Sequence, residues 1–151
     1  MGAVFPTFAE AVAFGPMEHV DLGASGLRVS RVGLGCNNFG GRIGFEETQA
    51  VVSAALDAGI TFFDTAESYG GGGGSERFLG ELLEGRREHA VIGTKFAWAA
   101  DAGGGSAEKV RRAIAGSLER LRTDYVDLYY LHRPDSKTSI GETLRALDAL
   151  V

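Results

Sequence analysis

The sequence is short of cysteine, of basic excess and of long apolar runs, and each shortage closes off a class of function. One cysteine, Cys36, among 151 residues leaves no internal disulfide and no cysteine-rich zinc site. A lone thiol suits a reducing, cytoplasmic setting. No apolar run reaches membrane-spanning length, and residues 1–16 lack the basic start and apolar centre of a secretory signal. No membrane partner is therefore expected. The formal charge is −5, with 15 Lys and Arg against 20 Asp and Glu. Binding to phosphate backbones wants a basic face, so no nucleic-acid partner is expected either.

Glycine is what the chain has in plenty, 23 residues in all, roughly twice the usual share. Much of it lies at expected helix ends and in two runs, 70–74 and 103–105, which read as flexible loops. The length is enough for one domain with its own core. Residues 1–16 show no clear period and read as a poorly ordered extension. Met17 looks like a second beginning, so the folded unit is expected over 17–151.

Residues 18–30 read as a small hairpin with a glycine-containing turn at 23–26. A βα unit then repeats. Val32-Gly33-Leu34-Gly35 is a short strand. The spacing predicts a helix over 46–58, with Val51, Val52, Ala55 and Leu56 inward and Gly59 as its stop. Residues 60–63 form a buried strand that turns polar at Asp64. Ser75 is an expected N-cap for a helix over 76–84 with Leu79, Leu82 and Leu83 inward. Residues 90–94 form a third strand, followed by Lys95. Ser106 is expected to cap a helix over 107–122 whose inward face is Val110, Ile114, Leu118 and Leu121. Residues 126–131 form a fourth strand, followed by His132. A last helix begins near Ile140 and is still running at Val151.

Strands starting near 32, 60, 90 and 126 give a repeat of roughly 30–35 residues, the length of one βα unit. Alternating strands and amphipathic helices imply a parallel sheet. An open dinucleotide-binding sheet predicts Gly-x-Gly-x-x-Gly after its first strand. Here Gly33-Leu34-Gly35 meets Asn38 at the third glycine position. The preferred fold class is therefore α/β of the TIM (β/α)₈-barrel type, with about four βα units behind a short hairpin. In such a barrel the residues just past the strands share one rim and carry the chemistry.

On that rim stand Cys36, Asn37, Asp64, Tyr69, Lys95 and His132. Each has a plain use alone: Asp64 capping a turn, Tyr69 packing, Lys95 solvated, His132 in a loop. Their joint placement suggests proton transfer to a carbonyl. A free phenol, with pKa about 10, is a poor acid at neutral pH, and a nearby ammonium makes such a group more acidic. Asp64 would hold Lys95 charged and placed, and His132 could donate a hydrogen bond to the substrate oxygen. No metal is needed. A zinc or magnesium site would draw on Asp64, Glu67, His132 and Asp135, and it leaves Lys95 without a role.

At these residues the chain resembles the aldo-keto reductase superfamily. The matching motifs are Val32-Gly33-Leu34-Gly35, the run from Phe63 to Gly70, Ser75-Glu76 with Leu79-Gly80, Thr94-Lys95, and the run from Asp124 to Asp135. The resemblance extends from about residue 18 to the end. It implies a (β/α)₈ barrel that reduces aldehydes and ketones with NADPH, less often NADH. By position it makes Tyr69 the general acid, has Lys95 and Asp64 tune it, and has His132 orient the carbonyl. It puts Gly35, Cys36 and Asn37 near the cofactor and Asp64 against its nicotinamide ribose. It makes the hairpin the cap of the barrel bottom. The family pattern has eight βα units and this chain about four. It therefore reads as the amino-terminal half, with most cofactor contacts missing and with edges open to self-association. A non-catalytic binding or assembly module is the alternative, since some relatives are channel-associated subunits.

Overall fold

The computed structural model describes residues 16–98 and 104–151. The expectations for residues 1–15 and for Gly103 lie outside the described residues. Strands β1 (His19–Asp21) and β2 (Arg28–Ser30) pair antiparallel, with His19 opposite Ser30. The turn is closed by the Leu22 amide donating to the Leu27 carbonyl at 2.8 Å. The hairpin docks where the second sheet begins. The Ser30 amide donates to Thr61 Oγ1 at 3.1 Å, and the Thr61 amide donates to Ser30 Oγ at 2.9 Å. It therefore sits at the amino-terminal end of that sheet, opposite the rim.

The second sheet contains β3 (Gly33–Gly35), β4 (Phe62–Asp64), β5 (Val91–Phe96) and β6 (Leu128–Leu131), parallel and in chain order. Helices α1 (Phe45–Asp57), α2 (Tyr69–Leu82) and α3 (Ala107–Leu121) are the crossovers, and α4 (Ile140–Asp148) follows β6. This is the α/β arrangement of a partial (β/α) barrel. Among the described residues, β3 and β6 are its outer strands.

Strand alternation divides the sheet into two faces. Ile92 joins Phe63, Leu79, Leu83 and Leu121 in the larger core cluster, and Phe96 joins Val110 and Ala146 in the smaller one. These residues face the helices. Gly93 faces the other way, against the rings of Tyr130 and Phe62, and Lys95 follows it on the same face. Lys95 lies inside β5, which runs two residues beyond the expected strand. Burying Phe63 and Phe96 contributes about 2–3 kcal/mol each, so the helix-facing side carries the fold and the other side is left for chemistry.

Several local expectations are corrected. The glycine run is no loose loop. Gly70, Gly71, Gly72 and Gly73 all take positive φ, from 68° to 92°, and form a tight left-handed turn at the start of α2. A side chain there would be strained, and a Cβ on Gly70 would also meet the Phe39 carbonyl oxygen. Ser75 is not an N-cap. It is buried, its Oγ donates to the Cys36 carbonyl at 2.9 Å, and it lies 2.8 Å from Thr65 Oγ1. Ser106 does stand at the N-cap of α3, but its side chain makes no capping bond. Val51 points outward, because the buried stripe of α1 runs through Thr48, Val52 and Ala55. On α3 the fully buried positions are Val110, Ser117 and Leu121. Helix α4 stops at Asp148 rather than running to the last residue.

Gly80 marks the closest approach of α2 to α3. A Cβ there would lie 2.5 Å from the Arg120 carbonyl oxygen and 2.6 Å from the Leu121 carbonyl carbon. Those are backbone atoms and cannot rotate away. In a free helix Gly→Ala would gain about 1 kcal/mol. Here Gly80→Ala is expected to destabilise by about 1–3 kcal/mol. The midpoint of urea unfolding should fall, and an unchanged or higher midpoint would show that the two helices separate freely.

Candidate functional site

Asp64 ends β4, and Lys95 stands on the neighbouring strand on the same face. Lys95 Nζ lies 2.7 Å from Asp64 Oδ1 and donates to the Thr65 carbonyl at 2.8 Å. Its side chain is only 16% exposed, against 38% for Asp64. Attraction between two such shielded charges is screened less than on an open surface. The ammonium is thus held at one point by a carboxylate and a carbonyl, and it sits 5.1 Å from the centre of the Tyr69 ring.

Tyr69 stands at the start of α2, where its amide donates to the Ala66 carbonyl at 3.1 Å. The left-handed glycine turn follows at once and turns the chain away from the rim. His132 lies just past β6, fixed by its amide donating to the Phe96 carbonyl at 2.8 Å. Its ring meets the Tyr69 ring edge-on, with centroids 5.7 Å apart. The structure thus brings Asp64, Tyr69, Lys95 and His132 together, from three strand ends and one helix start.

Burial, followed by the Lys95 and Arg133 cations, lowers the His132 pKa below the usual imidazole value, and the Asp64 carboxylate opposes them. Its Nδ1 is buried without a hydrogen-bond partner. An imidazolium would bury an unpaired N–H there, so the neutral ring is favoured. Tyr130, beside Lys95 on the same face, is pushed up by burial and then by the Asp64 carboxylate, with Lys95 opposing.

The cofactor-facing expectations divide. Gly35 and Asn37 are exposed at the end of β3, and Gly35 is the register partner of Asp64. A Cβ on Gly35 would meet nothing within 4 Å, so the strand end is an open ledge beside the Asp64 carboxylate. Cys36 is the correction. Its side chain lies in the core with Phe39, Val52 and Phe63. Its amide donates to the Asp64 carbonyl, and its own carbonyl accepts from Ser75 Oγ. It keeps no polar group for a cofactor. Burial, and then the Asp64 carboxylate, push its thiol up to about 12, with Lys95 opposing. At pH 8 the native protein should leave Cys36 unmodified by a thiol-exchange reagent, and urea should release it. Rapid labelling of the folded chain would contradict the buried placement.

The alternative metal set does not form. Asp64 is paired with Lys95, Glu67 Oε1 accepts from the Ala97 amide at 2.8 Å, and Asp135 accepts from the amides of Gly105 and Lys137. Among the described residues, no three of His, Cys, Asp and Glu converge as metal ligands would. Nor is any helix among them long and apolar enough to cross a membrane.

Four residues support the site in ways the sequence reading did not assign to them. Glu67 braces the loop after β4 against the end of β5, and Thr65 and Ser75 tie that loop to the one after β3. Trp98, 47% exposed, meets the His132 ring with centroids 4.5 Å apart. A lone tryptophan three residues past Lys95 was the available signal for it.

Comparison with known proteins identifies the family to which this fold belongs. The sequence model described as the Aldo/keto reductase family matches residues 31–151. Among solved structures, the holo form of an aldo-keto reductase from Bacillus halodurans superposes with a TM-score of 0.78 at 34% identity, over 89% of this chain and 46% of that one. A putative aldo-keto reductase from Pseudomonas aeruginosa gives a TM-score of 0.74 at 38% identity, over 87% of this chain and 54% of that one. Among curated proteins, a probable voltage-gated potassium channel subunit beta from Oryza sativa subsp. japonica is 38% identical, over 89% of this chain and 43% of the relative. One of the same description from Arabidopsis thaliana is 36% identical over the same shares. The chain therefore spans about half the length of the proteins it matches, in both sequence and structure. Four parallel βα units, four side chains gathered on one rim and a family match over most of the length make the chain a member of the aldo/keto reductase family.

Proposed function

We propose that the protein carrying this segment reduces aldehydes or ketones to alcohols with NADPH or NADH, and that Tyr69 gives the proton. The observation that supports this best is the Lys95 ammonium, fixed by Asp64 and poised beside the Tyr69 ring. The cofactor, when bound, supplies the hydride that adds to the carbonyl carbon. As negative charge gathers on the carbonyl oxygen, Tyr69 gives its phenolic proton to that oxygen and is left as a phenolate. The Lys95 ammonium stabilises that phenolate, and Asp64 keeps the ammonium aimed. Neutral His132 donates a hydrogen bond to the same oxygen and orients the substrate. Gly35, Asn37 and Asp64 are the residues of this segment that would hold the cofactor. Lys95 is the more shielded partner of the pair, 16% exposed against 38% for Asp64, so its charge is screened less than one on an open surface. The lone buried thiol is compatible with a cytoplasmic setting.

A second reading, a non-catalytic binding or assembly subunit, is supported by the printed names of the two plant relatives. Isotope transfer separates the two. With NADPH carrying deuterium at the reactive carbon and a panel of aromatic and aliphatic aldehydes, the full-length protein should place deuterium at the new alcohol carbon. No transfer to any aldehyde, from a folded protein that still binds NADPH, would favour the assembly reading.

A further inference from the structure

We propose that Arg133 is a positioning residue: stacked on Trp98, it holds the indole against His132 and so fixes the imidazole that faces the substrate carbonyl. The inference rests on the reading of His132 given under Proposed function. Its geometry does not.

Trp98 reaches His132 because of one backbone feature. Ala97, directly before it, has φ 62°, the left-handed region that side chains other than glycine rarely adopt. The Ala97 amide is anchored to Glu67 Oε1 at 2.8 Å, and that bond holds the strained turn in place. The chain leaving β5 is thereby redirected, and Trp98 lies against the ring beyond the end of β6. The indole is nevertheless about half exposed and is not enclosed by core. Among the described residues, two ring contacts define its position. The His132 ring meets it at an interplanar angle of 65°, and the Arg133 guanidinium carbon lies 3.9 Å from its ring centroid. Two consecutive residues after β6 therefore grip one indole. A planar guanidinium suits this task better than an ammonium, because it stacks on an aromatic face while staying hydrated at its edges.

The indole in turn limits how His132 can rotate. The imidazole has Tyr69 edge-on at 5.7 Å and Trp98 at 4.5 Å, and its Nδ1 makes no hydrogen bond that would orient it. Aromatic packing is therefore what sets its plane. The charged and titratable groups facing it are Lys95 from β5, Asp64 from β4, Tyr69 from α2 and Arg133 from its own loop. Burial and the two cations favour the neutral ring, and Asp64 favours the charged one. Arg133 thus acts on His132 twice, through the indole and through its charge.

Arg133 is exposed, so its substitution should not disturb folding. The variants are Arg133→Gln, which removes charge and stacking, and Arg133→Lys, which keeps the charge and weakens the stacking. The full-length protein is followed by two-dimensional NMR of labelled imidazoles, with the His132 signal identified by its loss in His132→Asn. In Arg133→Gln the His132 resonances should move as the indole ring current changes, and the titration midpoint should rise. In Arg133→Lys the resonances should move while the midpoint stays low. With an aldehyde substrate, Arg133→Gln should lower kcat by about ten- to hundredfold and leave the KM for NADPH unchanged. Unmoved His132 resonances and midpoint in Arg133→Gln would overturn the proposal. Should the parent protein show no reductase activity, the NMR result still decides the matter, and the reductase reading alone fails.

Discussion

Tyr69→Phe is expected to lower turnover by about two to four orders of magnitude while NADPH binding stays nearly intact. The substitution removes one oxygen and keeps the ring. The ring is what touches its neighbours: it meets His132 edge-on at 5.7 Å and has Lys95 Nζ 5.1 Å from its centre. Packing should therefore survive, and the loss should fall on chemistry. A drop of that size corresponds to about 3–5 kcal/mol of barrier, which suits a proton donor that acts only in the transition state. The Lys95–Asp64 pair remains beside the phenylalanine, but it has no phenolate to stabilise. The check is steady-state reduction of an aldehyde by the full-length protein, alongside NADPH titration by fluorescence. Near-normal turnover in Tyr69→Phe would remove Tyr69 from the mechanism.

The gathering of the candidate-site residues was legible in the sequence because they sit at strand ends. A change from apolar to polar residues marks each end, and parallel topology then gathers the ends on one rim. Asp64, Lys95 and His132 follow that rule directly. What was misread depended on contacts distant in sequence. The glycines after Tyr69 look like a loose linker by composition. Their left-handed turn is held by packing against Phe39 and Gly40 on one side and Arg120 on the other. Ser75 has the local look of a helix cap, yet its hydroxyl goes to Cys36, 39 residues away. Cys36 follows a strand end, as a rim residue should, but the chain turns it into the core with Val52 and Phe63. Trp98 gave the weakest signal, since its contact with His132 hangs on the left-handed φ of Ala97.

The largest effect on stability is expected from Arg120→Leu. Glu76 lies on α2 with its side chain fully buried, an unusual place for a carboxylate. It accepts a hydrogen bond from Thr94 Oγ1 at 2.6 Å and one from Arg120 Nε at 2.6 Å. Thr94 is on β5 and Arg120 on α3, so a single carboxylate joins strand and both flanking helices. Substituting Arg120 leaves that charge buried without its counter-ion, which costs about 3–5 kcal/mol. A domain with roughly 5–15 kcal/mol of total stability would lose a large part of it, and the melting temperature should drop by on the order of 10 °C. The damage should also reach the rim. Thr94 precedes Lys95 and Glu76 follows the Tyr69 turn, so this contact registers the helix that carries Tyr69 against the strand that carries Lys95. The double variant Glu76→Met with Arg120→Leu removes the buried charge along with its partner. It should recover much of the lost stability, because a buried pair replaced by apolar side chains of similar size is often close to neutral. Calorimetry on the two variants decides between the accounts. If the double variant melts no higher than Arg120→Leu alone, the loss comes from packing around Arg120, and the orphaned carboxylate is not its cause.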